Sequence, residues 1–232
     1  MQADELTALF DQQAKDYDAR WSRAAPIRSC LHLLLESFFS TLPSHAQLLC
    51  VGAGTGAEVA YLAERMPHWR FTVVEPSGAM LEKCRLRAEA EGFASRCQLH
   101  HGYLDQLPQG VAFDAATCFL VSQFMLDQDQ RRRFFESIGR RLKPGGLLAS
   151  SDLSADTQSP DYATLLAAWM SMMGRAQLSE IDIANLREAY AKDVAIVAPG
   201  ELEVLIKNAG FSSVVGFFQA GLMRAWCSRW QS

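Results

Sequence analysis

The sequence predicts an α/β protein whose strands form a mostly parallel sheet with helices on both faces. Residues 48–51 form an apolar run that leads directly into a glycine-rich turn, residues 52–56. Residues 71–74 form a second apolar run, which ends in Glu75. From residue 46 to residue 151, strand-like and helix-like segments alternate. Strands that are apolar throughout are buried on both faces, and repeated βα units produce a parallel sheet between layers of helices.

Two amphipathic helices are predicted before the first strand. The first covers residues 4–19, where apolar residues recur near helical spacing. The second begins near Pro26, a residue that suits the first turn of a helix, and continues to about residue 41. Pro43 and Ser44 end it, so both helices are additions that precede the alternating core.

The alternating region divides at its turn residues. Ser77 and Asp127 are candidate N-caps, and Pro144-Gly145-Gly146 turns the chain into the last strand of the region. The predicted elements are a strand ending at residue 51, a helix at 57–66, a strand at 70–75, a helix at 77–91, strands at 97–101 and 113–120, a helix at 128–142 and a strand at 147–151.

The alternation stops after residue 151. The predicted elements that follow are helices at 160–175, 179–192 and about 200–209, then strands at 214–219 and 221–228. A turn at Gly221 between the two strands predicts a closing antiparallel hairpin. We expect residues 1–232 to form a single domain, since 232 residues are enough for one core with a small addition.

Composition narrows the classes of partner. The formal net charge of −4 gives no bulk attraction to nucleic acid or to an anionic membrane. No apolar run approaches the roughly 20 residues that a membrane-spanning helix needs. The acidic start, MQADELTALF, lacks the basic-then-apolar pattern of a signal peptide. The sequence therefore predicts a cytoplasmic protein with no membrane partner.

Cysteines and histidines form no metal motif. The six cysteines include no CxxC pair, and the adjacent His100 and His101 would point to opposite faces of a strand. We predict no metal site.

The glycine turn and Glu75 together predict a site for a ribonucleoside. Glycines allow positive φ and let a ligand lie against bare backbone, and the following helix start offers unpaired N–H donors. A carboxylate at the tip of the neighbouring strand accepts hydrogen bonds from the two hydroxyls of a ribose. Glu75 lies 19 residues after Gly56, which suits that role.

Six blocks of sequence, in this order, resemble the class I S-adenosylmethionine-dependent methyltransferases. The resemblance covers roughly residues 46–151 and 200–230, and the opening FDQQAKDYD at 10–18 is similar to small-molecule members of that family. The blocks are CVGAGTG at 50–56, VVEPS at 73–77, HGYLDQLP at 101–108, FDAATCFLVSQ at 113–123, RRLKPGG at 140–146 and NAGF at 208–211.

The resemblance implies a Rossmann-like fold and a cofactor, S-adenosyl-L-methionine. The implied sheet has seven strands in the order 3-2-1-4-5-7-6, with strand 7 antiparallel. A helical cap formed by residues 1–41 and 155–195 would close over a small-molecule acceptor. The residues that the resemblance assigns to the cofactor are Gly52, Ala53 and Gly54 at the methionine part, Glu75 at the ribose, Pro76, Met80, Tyr103 and Leu104 around the adenine, Phe119 and Val121 near the methionine moiety, and Tyr17 in the N-terminal cover.

The sequence departs from the family pattern at two places. Many members have an Asp directly after the glycine of the third block, whereas here Tyr103 follows Gly102 and the acid, Asp105, comes two positions later. After the fourth strand, Ser122-Gln123-Phe124 stands where some members carry an Asn-Pro-Pro type motif. Its absence argues against methylation of nucleobases or of a glutamine amide.

Transfer of an activated methyl group requires positioning before it requires a base. A general base is needed only for a nucleophile that carries a proton at the working pH. Asp152, just past the predicted fifth strand, is the candidate base, because active sites of open α/β sheets lie at the carboxyl ends of strands. Gln123 is the candidate for positioning a substrate oxygen or nitrogen.

Several alternatives stay open at the level of sequence. The turn also satisfies the relaxed fingerprint of an NAD-dependent oxidoreductase. A non-catalytic cofactor-binding protein and a methyltransferase that acts on tRNA or protein are the others. The run Arg131, Arg132 and Arg133 favours a solvated helix face over a nucleic-acid site, since it lacks interleaved aromatics. The oligomeric state, monomer or homodimer, is open as well.

Overall fold

The sheet has seven strands in the order β3-β2-β1-β4-β5-β7-β6, as the resemblance implies. In the computed structural model, which describes residues 3–108, 110, 112–173, 188, 190 and 192–231, only β7 runs antiparallel to its neighbours. The strands are β1 (Gln47–Val51), β2 (Arg70–Glu75), β3 (Cys97–His101), β4 (Phe113–Phe119), β5 (Leu142–Leu153), β6 (Phe211–Ala220) and β7 (Met223–Trp230).

Helices cover both faces of this sheet. The helices are α1 (Ala3–Gln13), α2 (Tyr17–Arg20), α3 (Ala25–Phe38), α4 (Ala57–Arg65), α5 (Gly78–Ala90), α6 (Gln128–Gly139), α7 (Asp161–Met172) and α8 (Pro199–Asn208). None of the helices within these described ranges is long and apolar enough to cross a membrane.

Alternate residues of the central strands pack into two apolar clusters, one on each face of the sheet. Leu48 and Cys50 of β1 face a cluster that contains Leu35 of α3 and Leu62 of α4. Leu49 and Val51 face the opposite cluster, which holds Phe135 of α6 and Ile206 of α8. Both faces of β1 are therefore buried, which explains the unbroken apolar run in its sequence.

A third apolar cluster lies at the carboxyl end of β5 and the amino end of the antiparallel β7. It contains Leu31 of α3, Leu166 and Trp169 of α7, and Met223 of β7. Trp169 and Met170 are almost fully buried, so they are helix core rather than an open pocket lining. The cluster joins the N-terminal helices to the segment that follows β5.

The ends of the segment between β5 and α8 lie side by side. The Ser154 hydroxyl and the Ala155 N–H both donate to the Val197 carbonyl, at 2.8 and 3.1 Å. The Ala195 N–H donates to the Gln123 carbonyl at 2.7 Å. The segment therefore leaves and rejoins the core at one place. Most of the helix predicted at 179–192 lies outside the described residues.

Several predicted boundaries were wrong, among them the hairpin strands, which are β6 and β7 at 211–220 and 223–230 rather than 214–219 and 221–228. The first predicted helix is broken, because α1 ends at Gln13 and α2 begins at Tyr17 after a buried turn around Ala14. The helix predicted to reach residue 142 ends at Gly139, and Leu142 already belongs to β5. β5 is also longer than predicted, because its final residues pair with β7 as far as Leu153 opposite Met223.

Gly139 in α6 allows a test of whether packing or helix propensity has the larger effect on the free energy of unfolding. A Cβ at Gly139 would collide with the indole ring of Trp230. We expect Gly139→Ala to lower the free energy of unfolding by about 1–3 kcal/mol, because overpacking outweighs a gain of about 1 kcal/mol in helix propensity. Gly200→Ala in α8 is the matched control, since a Cβ there meets nothing within 4 Å and stability should stay equal or rise. Urea titrations of both variants decide the matter, and equal midpoints would contradict the packing argument.

Candidate functional site

The turn after β1 is shaped by glycines with positive φ. Gly52 has φ +64° and Gly54 has φ +56°. A Cβ on Gly52 would collide with the side chain of Val121, whereas a Cβ on Gly54 would meet nothing within 4 Å. Gly52 is thus required by protein packing, and Gly54 leaves bare backbone facing open space. Bare backbone of this kind allows a ligand to approach closely.

The Glu75 carboxylate is held by backbone donors from two turns. The Gly54 N–H donates to one carboxylate oxygen at 2.8 Å, and the Ser77 N–H donates to the other at 2.9 Å. Glu75 is 5% exposed, and burial raises the pKa of its carboxyl while these two bonds lower it. A direct hydrogen bond therefore joins Glu75 to the glycine turn, while its binding to a ribose stays a prediction.

The predicted adenine residues divide into buried and exposed positions. Met80 is buried in the first turn of α5, and the Pro76 carbonyl accepts a hydrogen bond from His101 at 3.1 Å. Leu104 is 5% exposed and packs in the same apolar cluster as Val51 and Val74. Tyr103 is 38% exposed.

Helix α1 lies over this part of the sheet edge. The Asp11 carboxylate accepts from the Ser77 hydroxyl at 2.6 Å and from the Ala79 N–H at 3.1 Å, at the first turn of α5. The Tyr103 hydroxyl forms hydrogen bonds with Thr7 at 2.8 Å and with the Ala3 carbonyl at 3.1 Å. Helix α1 is thus fastened to the two turns that follow β2 and β3.

Helix α2 is fastened to the glycine turn itself. The Asp18 carboxylate accepts from the Thr55 hydroxyl at 2.8 Å and from the Arg87 guanidinium at 2.5 Å. Tyr17 lies beside a cavity under this helix, and burial, with a further contribution from the negative charge of Glu75, raises the pKa of Tyr17 to about 12. The phenol therefore stays protonated at neutral pH.

A cavity of about 100 Å³ joins the glycine turn to an apolar wall. Gly52, Ala53 and Gly54 form one side, and Arg28 and Glu58 contribute charged groups. The other lining residues are Tyr17, Trp21, Ile27, Leu31, His32, Thr55, Ala57, Phe119, Leu120 and Met223. The cavity is smaller than the roughly 300–1,000 Å³ of typical small-molecule sites.

Two buried ionisable groups in the cavity wall have altered titration. Burial, assisted by the positive charges of Arg28 and Arg65, lowers the pKa of His32 to about 4, so its imidazole is neutral at neutral pH. Burial raises the pKa of Glu58 to about 7. Strongly altered pKa values in a cleft are typical of functional sites.

Asp152 lies within β5 and is fully buried, not in a loop past the strand. Its carboxylate accepts from the Ser122 hydroxyl at 2.8 and 2.9 Å and forms an ion pair with Arg131 at 3.3 Å. Arg131 also donates to the Ala195 carbonyl at 2.9 Å. The expectation that Arg131 belongs to a solvated face was wrong, because its side chain is 0% exposed.

Gln123 is buried and its amide supports the same region of backbone. Its side-chain carbonyl accepts from the Leu153 N–H at 2.7 Å, and its main-chain carbonyl accepts from Ala195. Neither Gln123 nor Asp152 is among the residues that line the cavity. Their assignment to catalysis stays a prediction, while their contacts favour a structural role.

The structure thus brings most of the predicted residues to one edge of the sheet. Tyr17, the three residues of the glycine turn and Phe119 line a common cavity, and Glu75 is bonded to that turn. Five ionisable residues around the site were not predicted from the sequence. They are Glu58, His32, Arg28, Asp11 and Asp18. Glu58 follows Gly56 by two positions, so a search of the first turn of that helix for ionisable groups would have found it.

Comparisons with known proteins agree with this geometry. Residues 48–146 match the family model described as a methyltransferase domain. The chain is 31% identical to a carboxy-S-adenosyl-L-methionine synthase from Pseudomonas putida, over 73% of this chain and 70% of the relative. It is 30% identical to erythromycin 3''-O-methyltransferase from Saccharopolyspora erythraea, over 79% of this chain and 56% of that protein.

The fold also matches a solved structure of an O-methyltransferase family protein from Burkholderia thailandensis. The TM-score is 0.62 at 16% identity, and the match covers 95% of this chain and 62% of that one. At this identity the likeness shows the fold alone. The sequence matches show that the chain belongs to the class I S-adenosylmethionine-dependent methyltransferases, a family of enzymes.

The ion pair between Asp152 and Arg131 allows a test of whether Asp152 has a structural or a catalytic role. We expect Asp152→Asn to lower the free energy of unfolding by about 3–5 kcal/mol, because the Arg131 charge would be left buried without its partner. The double variant Arg131→Met/Asp152→Leu should recover part of this loss. Urea titration measures both variants. A wild-type unfolding curve for Asp152→Asn, together with lost turnover, would contradict the structural role and support the predicted base.

Glu58 should make stability depend on pH. Between its ordinary pKa of 4.5 and about 7, the folded protein keeps a proton on Glu58 that the unfolded chain has released. The wild type therefore loses stability as pH rises through this window. Glu58→Gln cannot ionise, so its free energy of unfolding relative to the wild type should rise with pH by up to about 3 kcal/mol.

Chemical unfolding at several pH values between 4.5 and 8 measures this difference. Glu64→Gln is the control on the same helix, because the side chain of Glu64 is 76% exposed. A difference between Glu58→Gln and the wild type that does not change with pH would show that Glu58 titrates normally.

Proposed function

We propose that this chain transfers a methyl group from S-adenosyl-L-methionine to an oxygen, nitrogen or carbon nucleophile of a small-molecule acceptor. The observation that carries the proposal is the cavity that joins the glycine turn to an apolar wall. One side of that cavity suits a cofactor and the other suits an apolar part of an acceptor. The O-methyltransferase among the relatives supports a small acceptor.

The residues of the site fit the cofactor that the family uses. The open space over Gly54 is a cradle that a side chain would fill, and Glu75 offers carboxylate oxygens beside it. When bound, the cofactor supplies an activated methyl group and a neutral thioether leaving group. We assign its methionine part to Gly52, Ala53 and Gly54, its ribose to Glu75, and its adenine to the region of Pro76, Met80, Tyr103 and Leu104.

The protein's part in the reaction is to orient the acceptor and to exclude water. The apolar wall, which includes Trp21, Ile27 and Leu31, would hold the acceptor against the glycine turn, and Phe119 would lie near the methionine moiety. Orientation of two reacting groups supplies several kcal/mol, up to roughly 7–11 in favourable cases. Val121 packs against Gly52 and would fix the turn from behind.

The N-terminal helices would form a cover over the cofactor. Asp11, Asp18 and Tyr103 fasten α1 and α2 to the turns around the site, and the cavity beneath is small. Entry of a cofactor would therefore require α1 and α2 to move, and their return would exclude water. We extend the cap to residues 1–41 and 155–195, which the third apolar cluster supports in its described part.

A second candidate function is formation of carboxy-S-adenosyl-L-methionine. The Pseudomonas putida relative, of which this chain covers 70%, carries that name. Mass spectrometry of the cofactor pool separates the two candidates, because methyl transfer yields S-adenosylhomocysteine and a methylated acceptor, whereas the second reaction yields a heavier cofactor.

The cofactor assignment is tested with two glycine variants that share the same backbone strain. Gly54→Ala and Gly92→Ala each place an alanine at positive φ with nothing within 4 Å of the new Cβ. Both should lower the free energy of unfolding by about 1–2 kcal/mol. Only Gly54→Ala should weaken binding of S-adenosylhomocysteine, by tenfold or more, about 1.4 kcal/mol.

Calorimetric titration measures these affinities, with NAD titrated in parallel. Tight binding of NAD without binding of S-adenosylhomocysteine would overturn the proposed function in favour of an oxidoreductase. Equal loss of S-adenosylhomocysteine affinity in both variants would remove the glycine turn from the cofactor site. Binding without any product from a panel of small acceptors would favour a non-catalytic protein or a macromolecular acceptor.

A further inference from the structure

Glu58 is a buried carboxylate without an ion-pair partner among the described residues. It is 8% exposed, and no described Lys, Arg or His nitrogen lies within 4.0 Å of its oxygens. The other buried acids near this edge have their partners, since Asp152 has Arg131 and Ser122 and Glu75 accepts from the Gly54 and Ser77 N–H groups. Burying a carboxylate without a partner is costly, so an unpaired one in a cavity wall requires an explanation.

The nearby cations are occupied by another acid. Arg87 and Arg28 act on Glu58 through their charge, but Arg87 lies 2.5 Å from Asp18 and Arg28 lies 3.8 Å from it. The ionisable groups close enough to Glu58 for its charge to act on them, or theirs on it, are Arg28, Arg87, Glu75, Tyr17, Cys50, Cys84 and Cys118. None of them neutralises its charge by direct contact.

The cavity wall presents one cation and one anion among otherwise uncharged groups. Arg28 and Glu58 are its charged side chains, since His32 is neutral and the remaining lining is apolar, backbone or hydroxyl. A ligand end that carries one positive and one negative charge complements this pair. The α-amino acid end of S-adenosylmethionine is such a zwitterion.

We propose that Glu58 is a specificity-determining residue that binds the α-ammonium group of the cofactor's methionine moiety. The proposal rests on the proposed function and deepens it. The ammonium would supply the positive charge that Glu58 lacks. The N–H groups at the start of α4 would bind the α-carboxylate, and Arg28 would share its charge between Asp18 and that carboxylate. Burial raises the pKa of Glu58, as expected for a carboxyl that has no cation in direct contact until a ligand binds.

The test compares two ligands that differ only in the ammonium group. The probes are S-adenosylhomocysteine and its analogue without the α-amino group, titrated calorimetrically into the wild-type chain, Glu58→Gln and the control Glu64→Gln. The wild type and Glu64→Gln should prefer S-adenosylhomocysteine by at least tenfold. Glu58→Gln should lose most of that preference, while its affinity for the analogue stays within about twofold of wild type.

The number of protons released on ligand binding provides a second readout. A purely structural role of Glu58 would not change that number. At pH 7, binding of the ammonium should displace part of the proton held by Glu58. Titrations in two buffers of different ionisation enthalpy should therefore show proton release in the wild type and not in Glu58→Gln.

The outcomes separate the two proposals. An undiminished preference for S-adenosylhomocysteine in Glu58→Gln, or equal weakening of both ligands, would overturn the role of Glu58 and leave the proposed function standing. Failure of the wild type to bind S-adenosylhomocysteine at all would overturn the proposed function, and this inference with it.

Discussion

The edge of the sheet depends on the hydrogen bonds that the Glu75 carboxylate accepts. One carboxylate bonds the Gly54 N–H after β1 and the Ser77 N–H after β2, so two βα turns share a single acceptor. The turn at Gly52 and Gly54 has positive φ, which costs an ordinary residue about 1–2 kcal/mol. Glycine removes that strain, and Glu75 fixes the resulting shape against the neighbouring strand. The bare backbone of the site is therefore preformed.

A second acid performs a similar task on the other side of the site. Asp152 accepts a hydrogen bond from Ser122 in the turn after β4 and forms an ion pair with Arg131 of α6. Arg131 in turn donates to the carbonyl of Ala195. These partners explain how a charged residue is accommodated in the buried interior of β5. The two buried acids differ in their partners, because Glu75 accepts from the N–H groups of two turns while Asp152 is bonded to the side chains of Ser122 and Arg131.

The sequence predicted the parts of the fold that local patterns determine. The sheet order, the glycine turn and Glu75 follow from apolar runs, turn residues and a known family arrangement. Arg131 could not be distinguished from Arg132 and Arg133 by local pattern, because its buried partner Asp152 is distant in sequence. The length of β5 was missed for a related reason, since pairing with β7 extends it. The position of Glu58 in the first turn of α4 can be seen in the sequence, but its place in a cavity wall depends on α2 and α3, which are distant in sequence.

The junction of Ser154 and Ala155 with Val197 has a consequence for how such proteins diversify. The segment between them leaves and rejoins the core at these hydrogen bonds. Gln123 and Arg131 also accept from and donate to the backbone of Ala195, where the chain returns to the core. A loop whose ends are already joined changes length at small entropic cost, about 0.6 kcal/mol for each doubling. Substitution or exchange of this segment, which we propose as part of the cap, would therefore leave the sheet edge the same. Under the proposed function, acceptor choice and cofactor binding would then be inherited separately within one chain.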